Sequence, residues 1–294
     1  VKHLLRNPVF LLLATGVSLG LLMPLGKLAH EAGIDPFLWA ALISLVPGLC
    51  LAAATLHESW GKGDLYVFGF VSGLFAYVIP NAILFSAMPH IGSGLGGLMF
   101  ALSPVATACL SIAFKVRPPR RSLLAAVALG CMGAVLIVLG RNALAMPEAP
   151  HWLLIALLMP LSLAIGNVYR TAFWPQGASP TQIGAASNLL SVLPLLAMSY
   201  GLGRFDLAPI LANWPLSLSQ WLASLIMFLL FFRLQWIGGP TYLSQIGYVA
   251  AALSLALGAL VFGETYPPMV WAGAAFIFTG IVTAALDRAV AKPV

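Results

Sequence analysis

The side chains of this chain that could do chemistry in an apolar setting fall into three small groups. Tyr77 and Asn81 stand one helical turn apart on a shared face, with Pro80 between them to free a backbone carbonyl and bend the segment. Tyr242, Gln245 and Tyr248 advance at a helical spacing of three, with Ser244 beside them, and Asn167 lies one turn before Arg170. Phenols, carboxamides and hydroxyls placed this way can stack an apolar or aromatic moiety and hydrogen-bond an amino or carboxylate group. The same groups also serve as glue between helices, each bonding a neighbouring backbone. Catalysis is a poorer fit. His30, His57, His90 and His151 are scattered, and His57 with Glu58 makes a lone pair rather than a paired acid and base. Cys50, Cys109 and Cys131 sit inside apolar runs without C-x-x-C spacing, which argues against zinc and a disulfide scaffold. A nucleotide-binding P-loop pattern is missing too. The expectation is therefore a non-enzyme with no cofactor and no metal.

The elements that must position these groups follow from composition. The chain has 294 residues, 61% hydrophobic and only 7% charged, with a mean hydropathy of +0.99. A soluble domain carries roughly a quarter charged residues and could not cover itself with so few. Ten apolar runs can be read: 8–29, 36–56, 65–88, 91–114, 122–140, 152–173, 181–200, 215–237, 240–262 and 266–286. Each has about the 20 residues a helix needs to span hydrocarbon. None shows the ten-residue alternation of a barrel strand. The first run follows Lys2 and Arg6 like a signal peptide, but it is long for one and lacks a convincing cleavage site, so it reads as an uncleaved span.

The net charge of +6 comes from only 14 Lys and Arg, which form no nucleic-acid face. They orient the chain instead. With both termini cytoplasmic, Lys2, Arg6, Lys62, the cluster from Lys115 to Arg121, Arg170, Arg233, Arg288 and Lys292 lie inside, and only Lys27, Arg141 and Arg204 lie outside. Most tryptophans fall near run ends, as interfacial residues do. The expected fold is an all-α integral membrane protein of ten transmembrane helices in an inner (plasma) membrane.

The two halves echo each other. Ile91-Gly92-Ser93 corresponds to Ile237-Gly238-Gly239, Pro118-Pro119 to Pro267-Pro268, Leu45-Val46-Pro47 to Val192-Leu193-Pro194, and Gly133 to Gly280. This reads as a duplication, with 1–140 as one five-helix repeat, 141–151 as the joint and 152–294 as the second repeat. Five is odd, so the second copy enters the membrane from the opposite side, as inverted repeats of secondary transporters do. The loop before the fifth run is basic, and its counterpart around Glu264 is acidic.

The stretch from Leu260 through Gly263-Glu264-Thr265, followed by Ala272-Gly273 and on to Gly280-Ile281-Val282, resembles the end of an EamA-type repeat of the drug/metabolite transporter superfamily. The resemblance implies a ten-helix exporter of small metabolites, similar to the aromatic amino acid exporters, with substrate held among spans three, four, six, eight and nine. Pro104 matches the family's mid-helix proline in the first half, where the second half has Ala250.

Three charges lie within the runs, Lys27, Arg170 and Arg233, all near an end, where snorkelling to the interface is the plain account. Lys27 and Arg170 occupy similar places late in the first span of their halves, which leaves open a role in attracting a carboxylate. Gly92, Gly94, Gly96 and Gly97 with Ser103 and Pro104 predict a fourth helix that packs closely and could bend. No Asp or Glu falls within the ten runs, so the carboxylate of a proton or sodium relay is missing and facilitated, uncoupled movement is expected. The expected function is alternating-access export of small metabolites, foremost amino acids with apolar or aromatic side chains. Other drug/metabolite substrates such as nucleotide sugars are the alternative, and a membrane enzyme is a distant one. The expected partners are a small-molecule substrate and the lipid bilayer, with oligomeric state open.

Overall fold

The structure, a computed structural model, describes residues 6–60, 63–116, 119–140, 151–261 and 265–290. Every element among them is helical: α1 Pro8–Glu31, α2 Pro36–Ala54, α3 Gly63–Gly73, α4 Ile79–Ala113, α5 Arg121–Gly140, α6 His151–Ala172, α7 Pro180–Gly201, α8 Ala208–Ala212, α9 Trp214–Gly238, α10 Pro240–Ser244, α11 Ile246–Val261 and α12 Pro268–Val290. Seven of the described helices are long and apolar enough to cross a membrane. Together they make a multi-pass membrane protein.

Three helix starts share one device. Asn7, Asp35 and Ser179 each accept hydrogen bonds from backbone amides of the first turn, and each is followed by a proline at the first helical position. A proline there lacks an amide that would have had no partner anyway, so cap and proline together set where the helix begins.

Two boundaries differ from those read in the sequence. The backbone stays helical through residues 89 and 90, so the expected link between the third and fourth runs is not a break. The ninth run, in contrast, is divided at Gln245 into α10 and α11.

A third feature is a π-helical turn, Leu74–Val78, between α3 and α4. Here the Ile79 amide bonds to the Leu74 carbonyl, five residues back. In that register the Phe75 carbonyl would be bonded by residue 80, but that residue is Pro80 and has no N–H. Ser162 of α6 donates to the Phe75 oxygen at 2.9 Å instead, and Asn81 Nδ2 donates to the Tyr77 carbonyl at 2.7 Å. The deficit that Pro80 creates is thus met partly from another helix. Ser162→Ala is expected to cost about 1 kcal/mol, the usual worth of an interhelical hydrogen bond in a membrane protein. The loss should shrink in a Pro80→Ala background, where the added amide can take the carbonyl. A double-mutant cycle in detergent measures both; equal losses in the two backgrounds would contradict this account.

Packing follows a crossed pattern. α2 lies on α7 and α5 on α12, while α1 lies on α9 and α11 and α6 lies on α3 and α4. Small residues bring backbones together at the α5/α12 crossing. A Cβ on Gly133 would run into the Gly273 carbonyl oxygen and lie 2.9 Å from the Ile277 amide; a Cβ on Gly280 would lie 2.8 Å from the Ala126 carbonyl oxygen and 3.2 Å from the Gly130 amide. The alignment that sets Gly133 on Gly280 also sets Ala126 on Gly273 and Gly130 on Ile277. The outer surface is apolar at helical spacing, as Leu222, Ile226 and Leu229 on α9 and Phe278, Val282 and Leu286 on α12 are all exposed. A belt of this kind suits hydrocarbon rather than water.

Candidate functional site

One group of buried polar side chains converges where α4, α6, α9 and α10 meet. The fourth helix carries Ser103, Thr107 and Ser111 at intervals of four, so all three share one face, and all are buried. Pro104 is buried beside them within the same continuous helix. Asn167 of α6 reaches across to Thr107, Nδ2 to Oγ1 at 3.4 Å, and Ser111 accepts from Thr241 of α10 at 3.4 Å.

Arg170 is the centre of the group. It is 1% exposed, so the snorkelling expected of it does not occur. Its stem does not lead to an interface because α6 turns that face toward α9 and the π turn, where neutral acceptors replace water. One terminal nitrogen, Nη2, donates to Asn167 Oδ1. Nε donates to Gln235 Oε1 at 3.4 Å, and the guanidinium carbon stands 5.2 Å from the centroid of the Phe231 ring, a cation–π distance. The other terminal nitrogen, Nη1, is buried without a hydrogen-bond partner. Gln235 ties the cluster together, since its Nε2 also donates to Thr171 Oγ1 at 2.6 Å and to the Asn167 carbonyl at 3.2 Å. All of Arg170's described partners are uncharged.

Tyr77 sits in the π turn, edge-on to Phe228 with ring centroids 5.6 Å apart. Its hydroxyl is buried without a partner. Gln245, at the break between α10 and α11, is fully buried and neither its Oε1 nor its Nε2 has a hydrogen-bond partner. A membrane interior makes such orphaned amides costly.

The remaining residues read from the sequence have other surroundings. Ser244 donates back to the Thr241 carbonyl at 2.8 Å, and Tyr242 is 1% exposed within an apolar core with Leu11, Leu243 and Ile246. Tyr248 lies so close over Gly130 that any Cβ there would overlap its ring, and its hydroxyl donates to the Val127 carbonyl at 3.2 Å. It joins α11 to α5. Tyr248→Phe is expected to cost about 1 kcal/mol of stability and to leave substrate affinity unchanged; a raised KM for flux would put Tyr248 in the site after all. Gly96 lies within the helical backbone of α4 and Lys27 within α1; their surroundings, and Glu264 altogether, lie outside what is described. Arg233, expected to snorkel to the interface, is half-buried.

Sequence reading missed Gln235, Thr107, Thr171 and Ser111. The small polar residues at intervals of four on α4 were a legible signal. Gln235 was not, because a polar residue near the end of an apolar run looks like an interfacial one.

With this geometry in place, residues 6–139 match the EamA-like transporter family. That match covers the first half of the chain and makes it similar to a family of transporters. Tyr77, Pro80, Asn81, Ser103, Pro104 and Thr107 all fall within this EamA-like half, whereas Asn167, Arg170, Gln235 and Gln245 come from the other. No curated protein sequence matches the chain. A solved structure described as "Crystal structure of protein" superimposes with a TM-score of 0.73 at 21% identity, over 94% of this chain and 98% of its own. That likeness shows a shared fold over nearly the whole chain.

Proposed function

We propose that this protein is an alternating-access carrier of small metabolites, with ten spans arranged as two inverted five-helix halves, 1–140 and 152–294, joined by 141–151. The reading is supported by the crossed packing of the helices and by the matched surroundings of Gly133 and Gly280. One observation carries the functional part: unpartnered polar groups from both halves, at Tyr77, Arg170 and Gln245, are buried in the interior of a membrane protein. Groups of this kind are expensive unless a ligand or a change of state satisfies them. Two inverted halves that rock about such a site expose it to each side in turn.

The substrates that suit the site are amino acids with apolar or aromatic side chains, because Phe228, Phe231 and Tyr77 supply ring surfaces next to hydrogen-bonding groups. Movement is facilitated, since the apolar runs hold no carboxylate for an ion relay. The assignment to export across an inner plasma membrane rests on the family and on the distribution of positive charge. Other drug/metabolite substrates, such as nucleosides or sugars, are the alternative within the same mechanism.

The test is flux of labelled aromatic and aliphatic amino acids into liposomes holding the purified protein, against protein-free liposomes and a Tyr77→Ala, Gln245→Ala variant. Saturable flux that the variant loses is the expected result. Wild-type flux no greater than that of empty liposomes across amino acids would remove this substrate class. Accumulation against the substrate's gradient under an imposed pH difference would replace facilitated movement with proton coupling.

A further inference from the structure

The interior holds a permanent positive charge with no carboxylate paired to it among the described residues. Arg170 is 1% exposed, its hydrogen bonds go to the neutral side chains of Asn167 and Gln235, and the apolar runs contain no Asp or Glu that could face it. Guanidinium groups remain protonated in proteins, so this charge cannot be shed to avoid its desolvation. A buried ion of one sign is costly until an opposite charge joins it with good hydrogen-bond geometry.

The donors left over say where that charge would bind. Nη1 of Arg170 and the hydroxyl of Tyr77 are both buried and both lack a partner, and Tyr77 follows Phe75 and Ala76 in the π turn that borders the Nη1 side of the guanidinium. Nη1 faces Gly166, where even a Cβ would come no nearer than 3.5 Å, beside the π turn at Phe75 and Ala76. The absence of a side chain at 166 keeps that approach clear. On the other side the charge rests against Phe231, and the Tyr77 ring against Phe228, so the donors are bordered by ring surface.

We propose that Arg170 Nη1 and the Tyr77 hydroxyl bind a single negative charge, the carboxylate of a substrate whose apolar part lies along Phe228 and Phe231. This rests on the reading of the cluster as the carrier's site and names the substrate class for it. One guanidinium with one free terminal nitrogen and one hydroxyl matches a monoanion, whereas a phosphate dianion would need a second cation. Neutral and cationic solutes are disfavoured because they leave the buried charge uncompensated.

The experiment uses the full chain in detergent, with benzoate, benzamide, benzylamine and inorganic phosphate as probes at constant pH and ionic strength. Thermal unfolding and equilibrium titration are read in parallel. Benzoate should raise Tm, and benzamide, benzylamine and phosphate should leave it within error. A second variant guards against Arg170 substitutions that fail to fold. Gln235→Glu keeps an acceptor at Nε and brings an internal carboxylate to the guanidinium, so it should fold and yet bind benzoate at least about tenfold more weakly than wild type. The proposal is overturned if benzamide stabilises as well as benzoate, if no carboxylate stabilises the wild type, or if folded Gln235→Glu binds benzoate as wild type does. Flux separates this from the broader reading. Saturable flux of neutral solutes that persists in Arg170→Gln would keep the carrier and discard the anion site. Carboxylate binding without flux of any solute would keep the anion site and discard the carrier.

Discussion

Gln235→Leu is expected to cost about 3 kcal/mol of stability and to abolish flux, the largest effect of any single polar substitution in the bundle. The substitution removes two donated hydrogen bonds, to Thr171 and to the Asn167 carbonyl, and one accepted from Arg170. Individually such bonds are worth about 0.6 to 2 kcal/mol in membrane proteins. The added cost is the guanidinium itself, which keeps Asn167 as its remaining hydrogen-bonded partner and loses the contact that orients its Nε. Gln235→Glu also loses the two donated bonds but should be milder, because it retains an acceptor at Nε and adds a charge of the right sign. Unfolding in detergent, followed by circular dichroism, measures both. A loss below about 0.5 kcal/mol for the leucine variant, within the range of an unimportant surface change, would mean that Arg170 has other partners.

The second large effect concerns glycines rather than polar groups. Gly133→Ala and Gly280→Ala should each cost about 1 to 3 kcal/mol, the usual range for overpacking a tight interface. In both cases the added methyl meets backbone of the facing helix, Gly273 and Ile277 in one, Ala126 and Gly130 in the other. Backbone cannot rotate aside as a side-chain tip can, so α5 and α12 must separate. Gly26→Ala is the control, with nothing within 4 Å of the new carbon; it should be neutral or gain about 0.5 to 1 kcal/mol from helix propensity. Yield of monodisperse protein and thermal melting read all three. If one of the pair were tolerated as easily as Gly26→Ala, the two positions would not be equivalent, and the argument for a twofold relation between the halves would lose its strongest structural support.

Much of the fold was legible in the sequence, and particular residues explain why. A chain with 7% charge and apolar runs of membrane-spanning length has few ways to fold other than as helices in a bilayer. Caps followed by proline at Asn7, Asp35 and Ser179 mark helix starts by local chemistry alone. The correspondence of Gly133 with Gly280 was read from sequence likeness between the halves, and each of the two glycines faces backbone of the helix that carries the other. The division of the ninth run at Gln245 was not, since nothing in its neighbours' types breaks helical periodicity. The π turn was equally hidden: Pro80 announces a missing donor, but only Ser162, from α6, decides which carbonyl can go without it.

The candidate site was legible in kind and not in arrangement. Tyr77, Asn167 and Gln245 could be chosen because a polar side chain in an apolar run must face the interior, a rule that needs no coordinates. Asn81 and Tyr248 satisfied the same rule and proved to bond backbone carbonyls, a distinction that depends on which helix comes near.

Sequence by itself thus determined the class of protein, a multi-pass helical membrane protein, since hydrocarbon imposes one requirement on every residue of a span, and composition alone reports whether that requirement is met. Tertiary structure alone decided that Arg170 turns inward to Asn167, Gln235 and Phe231 instead of outward to an interface. A long side chain near the end of a span can reach either environment. The choice is made by acceptors on a helix far away in the chain, whose position no local pattern records.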